Sequence, residues 1–221
     1  MKEYLIALGG PIFGTPNLKK WIHQKDFTRV VAADGGLHVL QEIEVLPHLM
    51  IGDFDSVDPL LLARYEEKGI SVERFPVKKD LTDAELALEV MKNMTEPGDE
   101  IWLLGGLGGR LDHTLANVFL LEQAYKQGFK AHMLNGIDEI EFLQGPCECC
   151  YEKRSYQQYF SLAALSEKVT GITLTGFTYP LQDAELRRGQ TLGISNEIEE
   201  AEGKVKIGDG MVFVIRSTDH T

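Results

Sequence analysis

The sequence has no long hydrophobic run and no block of basic residues. No apolar stretch approaches the roughly 20 residues that a membrane-spanning helix needs. Lysine and arginine total 22 against 34 aspartates and glutamates, which gives a formal net charge of −12. That charge repels nucleic acid and anionic membrane surfaces, so we expect neither as a partner. The N-terminal residues lead directly into a strand-like segment and not into a signal peptide, which predicts a cytoplasmic protein.

Cysteine is also scarce. The three cysteines, Cys147, Cys149 and Cys150, lie within four residues. An odd number in a chain of this size does not form a disulfide framework. A metal site is the alternative, but a tetrahedral site would need further ligands that the neighbouring sequence does not offer. We therefore expect reduced thiols.

Two common nucleotide-binding signatures are missing. The segment Gly-Gly-Pro-Ile-Phe-Gly-Thr at 9–15 resembles the start of a P-loop but lacks the lysine that a Walker A motif requires. The G-x-G-x-x-G fingerprint of dinucleotide-binding proteins is absent from both glycine-rich loops. Any nucleotide must therefore be held in another way.

Residues 1 to about 135 alternate between short β-rich runs and amphipathic stretches, a pattern typical of an α/β domain with a parallel sheet. Strands are predicted at 4–8, 30–33, 48–51, 72–75, 101–104 and 131–134. Helices are predicted at 18–24, 37–43, 59–68, 83–94 and 115–127. Asp58 before Pro59, and the capping-box spacing from Thr82 to Glu85, mark two helix starts. We predict a Rossmann-like, mostly parallel α/β domain over residues 1–145.

The pattern changes from about residue 139, where helical periodicity disappears. Runs rich in β-forming residues at 159–162, 169–174, 191–195, 204–207 and 211–216 are separated by glycine and asparagine turns. This pattern predicts a small C-terminal antiparallel β-sandwich over residues 146–221. A core of this size is small, so we expect the domain to pack against the first domain or another subunit.

Two acidic clusters follow predicted strands. Asp53 and Asp55 are two residues apart, so on an extended backbone they would project from one face about 7 Å apart. At a dielectric near 20, like charges about 4–7 Å apart repel by roughly 2–4 kcal/mol, a cost that a bound Mg²⁺ would remove. Asp80 and Asp83 form the second cluster, preceded by Lys79. The alternative for both clusters is a solvated turn in which an aspartate caps the next helix.

A glycine-rich turn, Gly-Gly-Leu-Gly-Gly at 105–109, follows another strand and is followed by Arg110. Bare amides at a helix N-terminus can approach phosphate oxygens, and an arginine adds a forked donor. Alternatively the segment is a tight turn in which Arg110 pairs with Asp112. Asp34 ends a strand as well, and either touches a cation or a ribose or makes a turn. Because ligands of open α/β sheets bind at the carboxyl ends of the strands, these motifs predict a Mg²⁺-polyphosphate site.

These ordered motifs, together with Asn117 and the later segments 175–181 and 195–196, resemble the thiamin pyrophosphokinase family. The resemblance implies that Asp53, Asp55 and Asp83 bind the metal, and that catalysis also involves Asp80 and Arg110. The ATP-binding residues that it implies are Asp34, Gly35, Lys79, Thr82, Gly106, Gly109, Arg110, Asp112, His113 and Asn117. It further implies thiamin contacts from Tyr179, Ser195 and, less directly, Asn196, across the interface of a homodimer.

The resemblance implies that a diphosphate passes from ATP to the hydroxyl of thiamin, with Mg²⁺ as cofactor and AMP as leaving group. An acidic cleft and an aromatic face suit the cationic thiazolium ring. His113 is expected in the first turn of a helix, and no histidine suits the role of general base, so an aspartate such as Asp80, or no dedicated base, is expected. The alternatives are a pyrophosphokinase for another hydroxymethyl heterocycle such as a pterin, a metal-dependent phosphohydrolase, and a nucleotide-sensing module without turnover.

Overall fold

The computed structural model describes residues 1–75 and 81–219. Two compact units divide the chain, Met1–Gly136 and Ile137–Thr221. This division lies before the predicted boundary at residue 145, because the strand Glu139–Gln144 pairs along its whole length with Met211–Ser217 of the second unit. Among the described residues, none of the helices is both long enough and apolar enough to cross a bilayer.

The first unit alternates strands and helices, as predicted. Its strands are β1 Glu3–Ala7, β2 Arg29–Ala33, β3 Leu49–Gly52, β4 Ser71–Arg74, β5 Glu100–Leu104 and β6 Lys130–Leu134. Its helices are α1 Thr15–His23, α2 Gly36–Glu42, α3 Pro59–Glu67, α4 Asp83–Lys92 and α5 Leu111–Lys126. The described strand pairs are all parallel, in the order β4-β3-β2-β1-β5-β6. The mostly parallel α/β prediction is confirmed.

The strand order places the loops after β1 and β5 side by side. From β1 the chain adds β2, β3 and β4 on one side, and then returns to pair β5 on the other side of β1. This is the topological switch point at which open α/β sheets bind ligands. The central strands supply much of the core, with Leu5, Ala32 and Met50 fully buried beneath Leu37 and Leu40 of α2.

Both predicted helix starts are confirmed. The Asp58 carboxylate accepts a hydrogen bond from the amide of Leu60 at 2.9 Å, and α3 begins at Pro59. The Thr82 hydroxyl accepts from the amide of Glu85 at 3.2 Å, which caps α4. The caps fix the positions at which the two helices leave the carboxyl edge of the sheet.

A buried aspartate anchors the opposite edge of the first unit. Asp99 accepts hydrogen bonds from the amides of Lys2 at 2.8 Å and Glu96 at 3.0 Å. Burial alone would raise the pKa of this carboxyl, but the two amide donors favour its charged form, and the net effect lowers the pKa. The charged carboxylate therefore joins the start of β1 to the turn before β5.

The second unit is all β. Its strands are β7 Glu139–Gln144, β8 Cys147–Glu152, β9 Tyr159–Ala164, β10 Lys168–Thr175, β11 Leu181–Arg187, β12 Glu202–Ile207 and β13 Met211–Ser217. They form the antiparallel arrays β7-β13-β9 and β11-β10-β12-β8. One apolar cluster joins the two arrays, with Phe160 and Val214 from the first and Val169, Ile172 and Val205 from the second. The antiparallel sandwich is confirmed.

The prediction of a strand at 191–195 is wrong. This segment is a turn in which the amide of Ile194 donates to the carbonyl of Thr191 at 3.0 Å, and Ser195 has φ 58°. Three strands were not predicted, namely β7, β8 and β11, each of which contains glutamate, a residue that is depleted in strands.

Candidate functional site

An open cleft of about 850 Å³ lies at the carboxyl ends of the strands of the first unit. The loops after β1, β2, β3 and β5 and the first turns of α4 and α5 form its walls. The predicted residues that line it are Asp34, Gly35, Asp53, Asp55, Thr82, Asp83, Gly106, Gly109, Arg110, His113 and Asn117. Lys79 and Asp80 lie outside the described residues. The cleft also contains residues that sequence reasoning missed, namely Gly9, Gly10, Ser56 and Thr114.

Three carboxylates converge in the cleft. Asp34, Asp53 and Asp55 each offer an oxygen, and these oxygens lie within 4.8 Å of one another. The predicted metal ligands were Asp53, Asp55 and Asp83. The structure adds Asp34 to the first two, while Asp83 lines the same cleft at the start of α4.

Hydrogen bonds hold both the backbone and the side chain of Asp34 in place. It adopts φ 44°, and its amide donates to the carbonyl of Ile51 at 2.8 Å. The Ser56 hydroxyl donates to its Oδ2 at 2.6 Å. The other oxygen, Oδ1, is buried and has no hydrogen-bond partner within the described part of the chain. A buried carboxylate oxygen without a donor is costly, and a cation would satisfy it.

The expected extended geometry of Asp53 and Asp55 is wrong, because the chain turns between them. Phe54 adopts the left-handed conformation at φ 61° while its ring is buried, with the guanidinium of Arg74 at 5.3 Å from the ring centroid. The amide of Asp55 donates to Oδ1 of Asp53 at 3.1 Å. A left-handed backbone at a bulky residue costs about 1–2 kcal/mol, so packing of the phenylalanine must offset strain that brings the carboxylates together.

The electrostatics of the cleft favour a cation. The negative charge of Asp53 is the largest cause that raises the pKa of Asp55, followed by a loss of hydration, the charge of Asp34 and a hydrogen bond with Asp53. The charge of Asp83 acts in the same direction. The Asp55 carboxyl is therefore harder to ionise than usual unless a cation compensates the negative charges around it.

The loops of the cleft approach one another backbone to backbone. The amide of Gly10 donates to the carbonyl of Gly105 at 3.0 Å, and a Cβ on Gly10 would lie 2.2 Å from that carbonyl oxygen. A Cβ on Gly9 would lie 3.1 Å from Cα of Gly35. Gly105 itself has φ 77°, which favours glycine. The loops thus form a rim whose glycines carry no side chains, so a ligand can approach its main chain closely.

Arg110 is paired with Asp112 at the start of α5, as in the tight-turn interpretation. Its Nη2 lies 2.7 Å from Oδ2 and its Nε 3.2 Å from Oδ1 of Asp112. The hydrogen bonds from Arg110 are the main cause that lowers the pKa of Asp112. Both side chains are exposed, so the pair contributes little stability and the guanidinium can exchange partners. His113 lies in the first turn of α5, as expected.

Asn117 connects α5 to the glycine-rich loop. Its side-chain nitrogen donates to the carbonyl of Gly106 at 3.0 Å, and the residue is buried. This bond fixes the height of the loop above the helix. In this structure Asn117 therefore positions the cleft wall.

The segments predicted to contact thiamin lie together in the second unit. Asn196 is buried, and its Oδ1 accepts from the amide of Tyr179 at 3.0 Å while its Nδ2 donates to the carbonyl of Tyr179 at 2.8 Å. Tyr179 remains 65% exposed. Ser195 is also exposed, and its amide donates to the hydroxyl of Ser161 at 3.0 Å. The geometry assigns Asn196 to holding the main chain of Tyr179.

The three cysteines of β8 are free thiols. A hydrogen bond with Cys149, and then burial, raise the pKa of Cys147 well above its ordinary value. Cys147 is therefore held in its protonated form, which is a poor nucleophile and a poor metal ligand.

Comparisons with known proteins agree across the whole chain. The family model for the catalytic domain of thiamin pyrophosphokinase matches residues 20–133, and the model for the vitamin B1 binding domain of the same enzyme matches residues 149–212. The thiamine pyrophosphokinase of Bacillus subtilis (strain 168) is 33% identical over 219 residues, which cover 99% of this chain and 100% of that protein.

Solved structures give the same result. The crystal structure of thiamine pyrophosphokinase from Bacillus subtilis has a TM-score of 0.86 at 31% identity, covering 99% of this chain and 100% of that one. The thiamin pyrophosphokinase structure from Geobacillus thermodenitrificans has a TM-score of 0.81 at 29% identity, covering 100% and 99%.

Proposed function

The chain belongs to the thiamin pyrophosphokinase family and is a thiamine diphosphokinase, and we propose that the acidic cleft of its first unit is the site of catalysis. In the proposed reaction the β,γ-diphosphate of ATP passes to the hydroxyl of thiamin, which yields thiamin diphosphate and AMP. The single observation that supports this site most strongly is the convergence of three carboxylates within 4.8 Å at the switch point of the sheet. The co-substrate ATP supports a cytoplasmic location.

The donor set fits Mg²⁺. The cleft offers hard carboxylate oxygens, which Mg²⁺ prefers, and one of them, Oδ1 of Asp34, is buried without a donor. We propose that Asp34, Asp53 and Asp55 hold the ion, with Asp83 adding negative charge from the start of α4. When bound, Mg²⁺ would supply charge neutralisation for the phosphate oxygens and orient them for in-line transfer.

The residues of the chain orient the phosphates. Glycines of the loops after β1 and β5 line the cleft, and the first turn of the 16-residue helix α5 lines it as well, so the helix N-terminus would favour an anion there. Arg110 is exposed, so it can leave Asp112 and donate to a phosphate oxygen, where its fixed charge would stabilise the transition state. Asn117 keeps the loop in place while this exchange occurs.

We propose that thiamin is held by the second unit of a partner subunit in a homodimer. The exposure of Tyr179 and Ser195 supports this role, since both are available to an external ligand. The ring of Tyr179 can stack on a cationic heterocycle. The hydroxyl of thiamin would attack the β-phosphorus, the bond to the AMP oxygen would break, and the hydroxyl proton would pass to an aspartate or to water.

The first experiment is an incubation with ATP, Mg²⁺ and thiamin in which AMP, ADP, phosphate and thiamin diphosphate are separated. Equal amounts of AMP and thiamin diphosphate, dependent on Mg²⁺ and abolished by Asp34→Asn, are expected. Asp58→Asn is the matched control, because Asp58 caps α3 outside the cluster and asparagine caps equally well. Phosphate release without thiamin would support a phosphohydrolase, and transfer to a pterin in preference to thiamin would reassign the acceptor.

A mixing experiment tests the proposed homodimer. Asp53→Asn and Tyr179→Ala proteins, each of low activity, are unfolded together, refolded and assayed. If a site combines the cleft of one subunit with Tyr179 of the other, mixed dimers contain one intact site and regain activity. Refolded mixtures no more active than the separate variants would contradict a shared site.

A further inference from the structure

A second, smaller cavity in the second unit is lined by cations. It has a volume of about 230 Å³, and Lys153, Arg154 and Arg216 contribute to its wall together with Gln157 and Gln158. Three cationic side chains around one small cavity are unexpected in a chain with a formal net charge of −12. The residues that line it belong to the second unit alone, so the cavity is not part of the acidic cleft.

Arg216 is the deepest of these cations. It lies on β13 and is only 5% exposed. Its Nη2 donates to the carbonyl of Glu152 at 2.6 Å, and no ion pair of Arg216 is found among the described residues. Burial, and then the positive charge of Arg154, lower the pKa of Arg216. Buried charges are normally paired, so this guanidinium is incompletely compensated.

Arg154 is already paired with a carboxylate. It forms an ion pair with Glu139 of β7 and donates to the side-chain oxygen of Gln157 at 3.0 Å. Glu139 is the register partner of Arg216 in the β7-β13 pair, so its negative charge also acts on the Arg216 guanidinium although it is bonded to Arg154. On the other wall, Glu197 accepts from Gln158 at 3.1 Å.

The described lining of the cavity carries more positive than negative charge, with Lys153, Arg154 and Arg216 as cations and Glu197 as the anion. Carboxylates outside the lining compensate part of this charge, because Glu139 and Glu152 act on Arg154 and Asp219 accepts a hydrogen bond from the lining Tyr159. Guanidinium groups offer several donors in a fixed plane and suit the oxygens of phosphate. Ligand pockets for drug-sized molecules start at about 300 Å³, so a cavity of 230 Å³ suits a small ion better than a nucleotide.

We propose that this cavity binds a small oxyanion, with inorganic phosphate as the best fit, through the guanidinium groups of Arg216 and Arg154 and the ammonium of Lys153 at the rim. This site goes beyond the proposed diphosphate transfer and does not depend on it. A phosphate group could arrive as the free ion or as part of a phosphate ester. The volume favours the free ion.

The test is calorimetric titration of the full chain with inorganic phosphate, in EDTA and at constant ionic strength. Saturable binding is expected for the wild type, and Arg216→Gln should weaken it at least about ten-fold, since charge-assisted hydrogen bonds are lost. Arg188→Gln, which removes an exposed arginine of the same unit, is the matched control and should bind as the wild type does. Glycerol phosphate should bind more weakly than phosphate, and acetate more weakly still.

Two further variants keep the test decisive. If Arg216→Gln fails to fold, as judged by circular dichroism, Lys153→Gln at the exposed rim should still weaken binding several-fold. Arg110→Gln removes the phosphate donor of the acidic cleft and should leave this binding unchanged. The proposal is overturned by a wild type that does not bind phosphate, by equal binding in the folded Arg216→Gln or Lys153→Gln variants, or by binding that disappears in Arg110→Gln. Because diphosphate transfer is assayed separately, its failure and the failure of this site are distinguishable.

Discussion

Replacement of Asp53 by asparagine should stabilise the metal-free protein while removing its response to Mg²⁺. Asp34 and Asp53 are both half-buried, and their oxygens lie within 4.8 Å. Two charges at this distance repel by about 0.9 kcal/mol at a dielectric of 80 and by about 3.5 kcal/mol at 20. The asparagine keeps an oxygen that can accept from the amide of Asp55, so the substitution removes the charge and little else.

The expected gain lies near the lower value, because the carboxylates open onto solvent in the cleft. A gain of about 1 kcal/mol corresponds to a rise of about 2–4 °C in the unfolding temperature of a protein of this size. Circular dichroism melts in EDTA and in millimolar Mg²⁺ measure both effects. The wild type should gain stability from Mg²⁺ by mass action, whereas the variant should gain none and should not form thiamin diphosphate.

The control is again Asp58→Asn, whose melting temperature should remain close to that of the wild type in both buffers. A lower melting temperature of Asp53→Asn in EDTA would show that the carboxylate stabilises the free protein. An undiminished Mg²⁺ response would place the ion elsewhere. Either result would refute the argument that the carboxylates of this cluster repel one another in the free protein and that a bound cation relieves the repulsion.

Three further substitutions probe the scaffold of the cleft and of the sheet. Gly10→Ala would place a methyl group 2.2 Å from the carbonyl oxygen of Gly105. Urea unfolding should therefore show a loss of about 1–3 kcal/mol in the free energy of unfolding, and the KM for ATP should rise. Unchanged values would mean that the two loops can move apart without cost. Asn117→Ala removes the side chain that donates to the Gly106 carbonyl, and should lower the free energy of unfolding in urea by about 1–3 kcal/mol. The KM for ATP should rise more than the KM for thiamin. Equal changes in both would contradict a role of Asn117 in positioning the glycine-rich loop. Asp99→Asn tests a carboxyl whose pKa is lowered by folding. The stability that its charge contributes is present above the unfolded pKa of about 3.9 and is lost as pH falls through the folded pKa. The variant should therefore be less stable than the wild type at pH 7, and the difference in unfolding free energy should shrink below about pH 4. A pH-independent difference in urea unfolding would exclude the charge as its cause.

The first unit could be predicted from sequence because local and global signals agree there. Buried apolar runs mark the strands, and the caps at Asp58 and Thr82 mark helix starts. The polar residues at strand ends then converge by topology alone. For Asp34 this rule left two alternatives open, contact with a ligand or a simple turn, and the structure places it in the cleft beside Asp53 and Asp55.

The geometry within the acidic cluster could not be predicted. The left-handed backbone at Phe54 has no local signal, because phenylalanine is disfavoured in that conformation and only its burial holds it there. The role of Gly9 and Gly10 was also missed. Glycine is required at both positions because loops distant in sequence lie against them. The sequence gives no signal of these contacts, and the segment lacks the lysine of a Walker A motif.

The second unit was less predictable because pairing overrides propensity in it. Strand β7 is almost wholly buried although it contains two glutamates, and one of them is held by Arg154. The segment 191–195 contains β-forming residues but is fixed as a turn by its own hydrogen bonds. The thiamin contacts expected of Tyr179, Ser195 and Asn196 rest on the family resemblance and not on a predicted strand.

Asn196 fixes the backbone of Tyr179 without constraining the side chain at that position. The two hydrogen bonds between the Asn196 side chain and Tyr179 involve only backbone atoms of Tyr179, so this anchor does not depend on which side chain stands at position 179. Another aromatic ring can replace the phenol by a single substitution without rebuilding the turn. Selection can thus adjust the size and polarity of this exposed surface step by step, and protein engineers can vary it in a library while the backbone beneath it stays fixed.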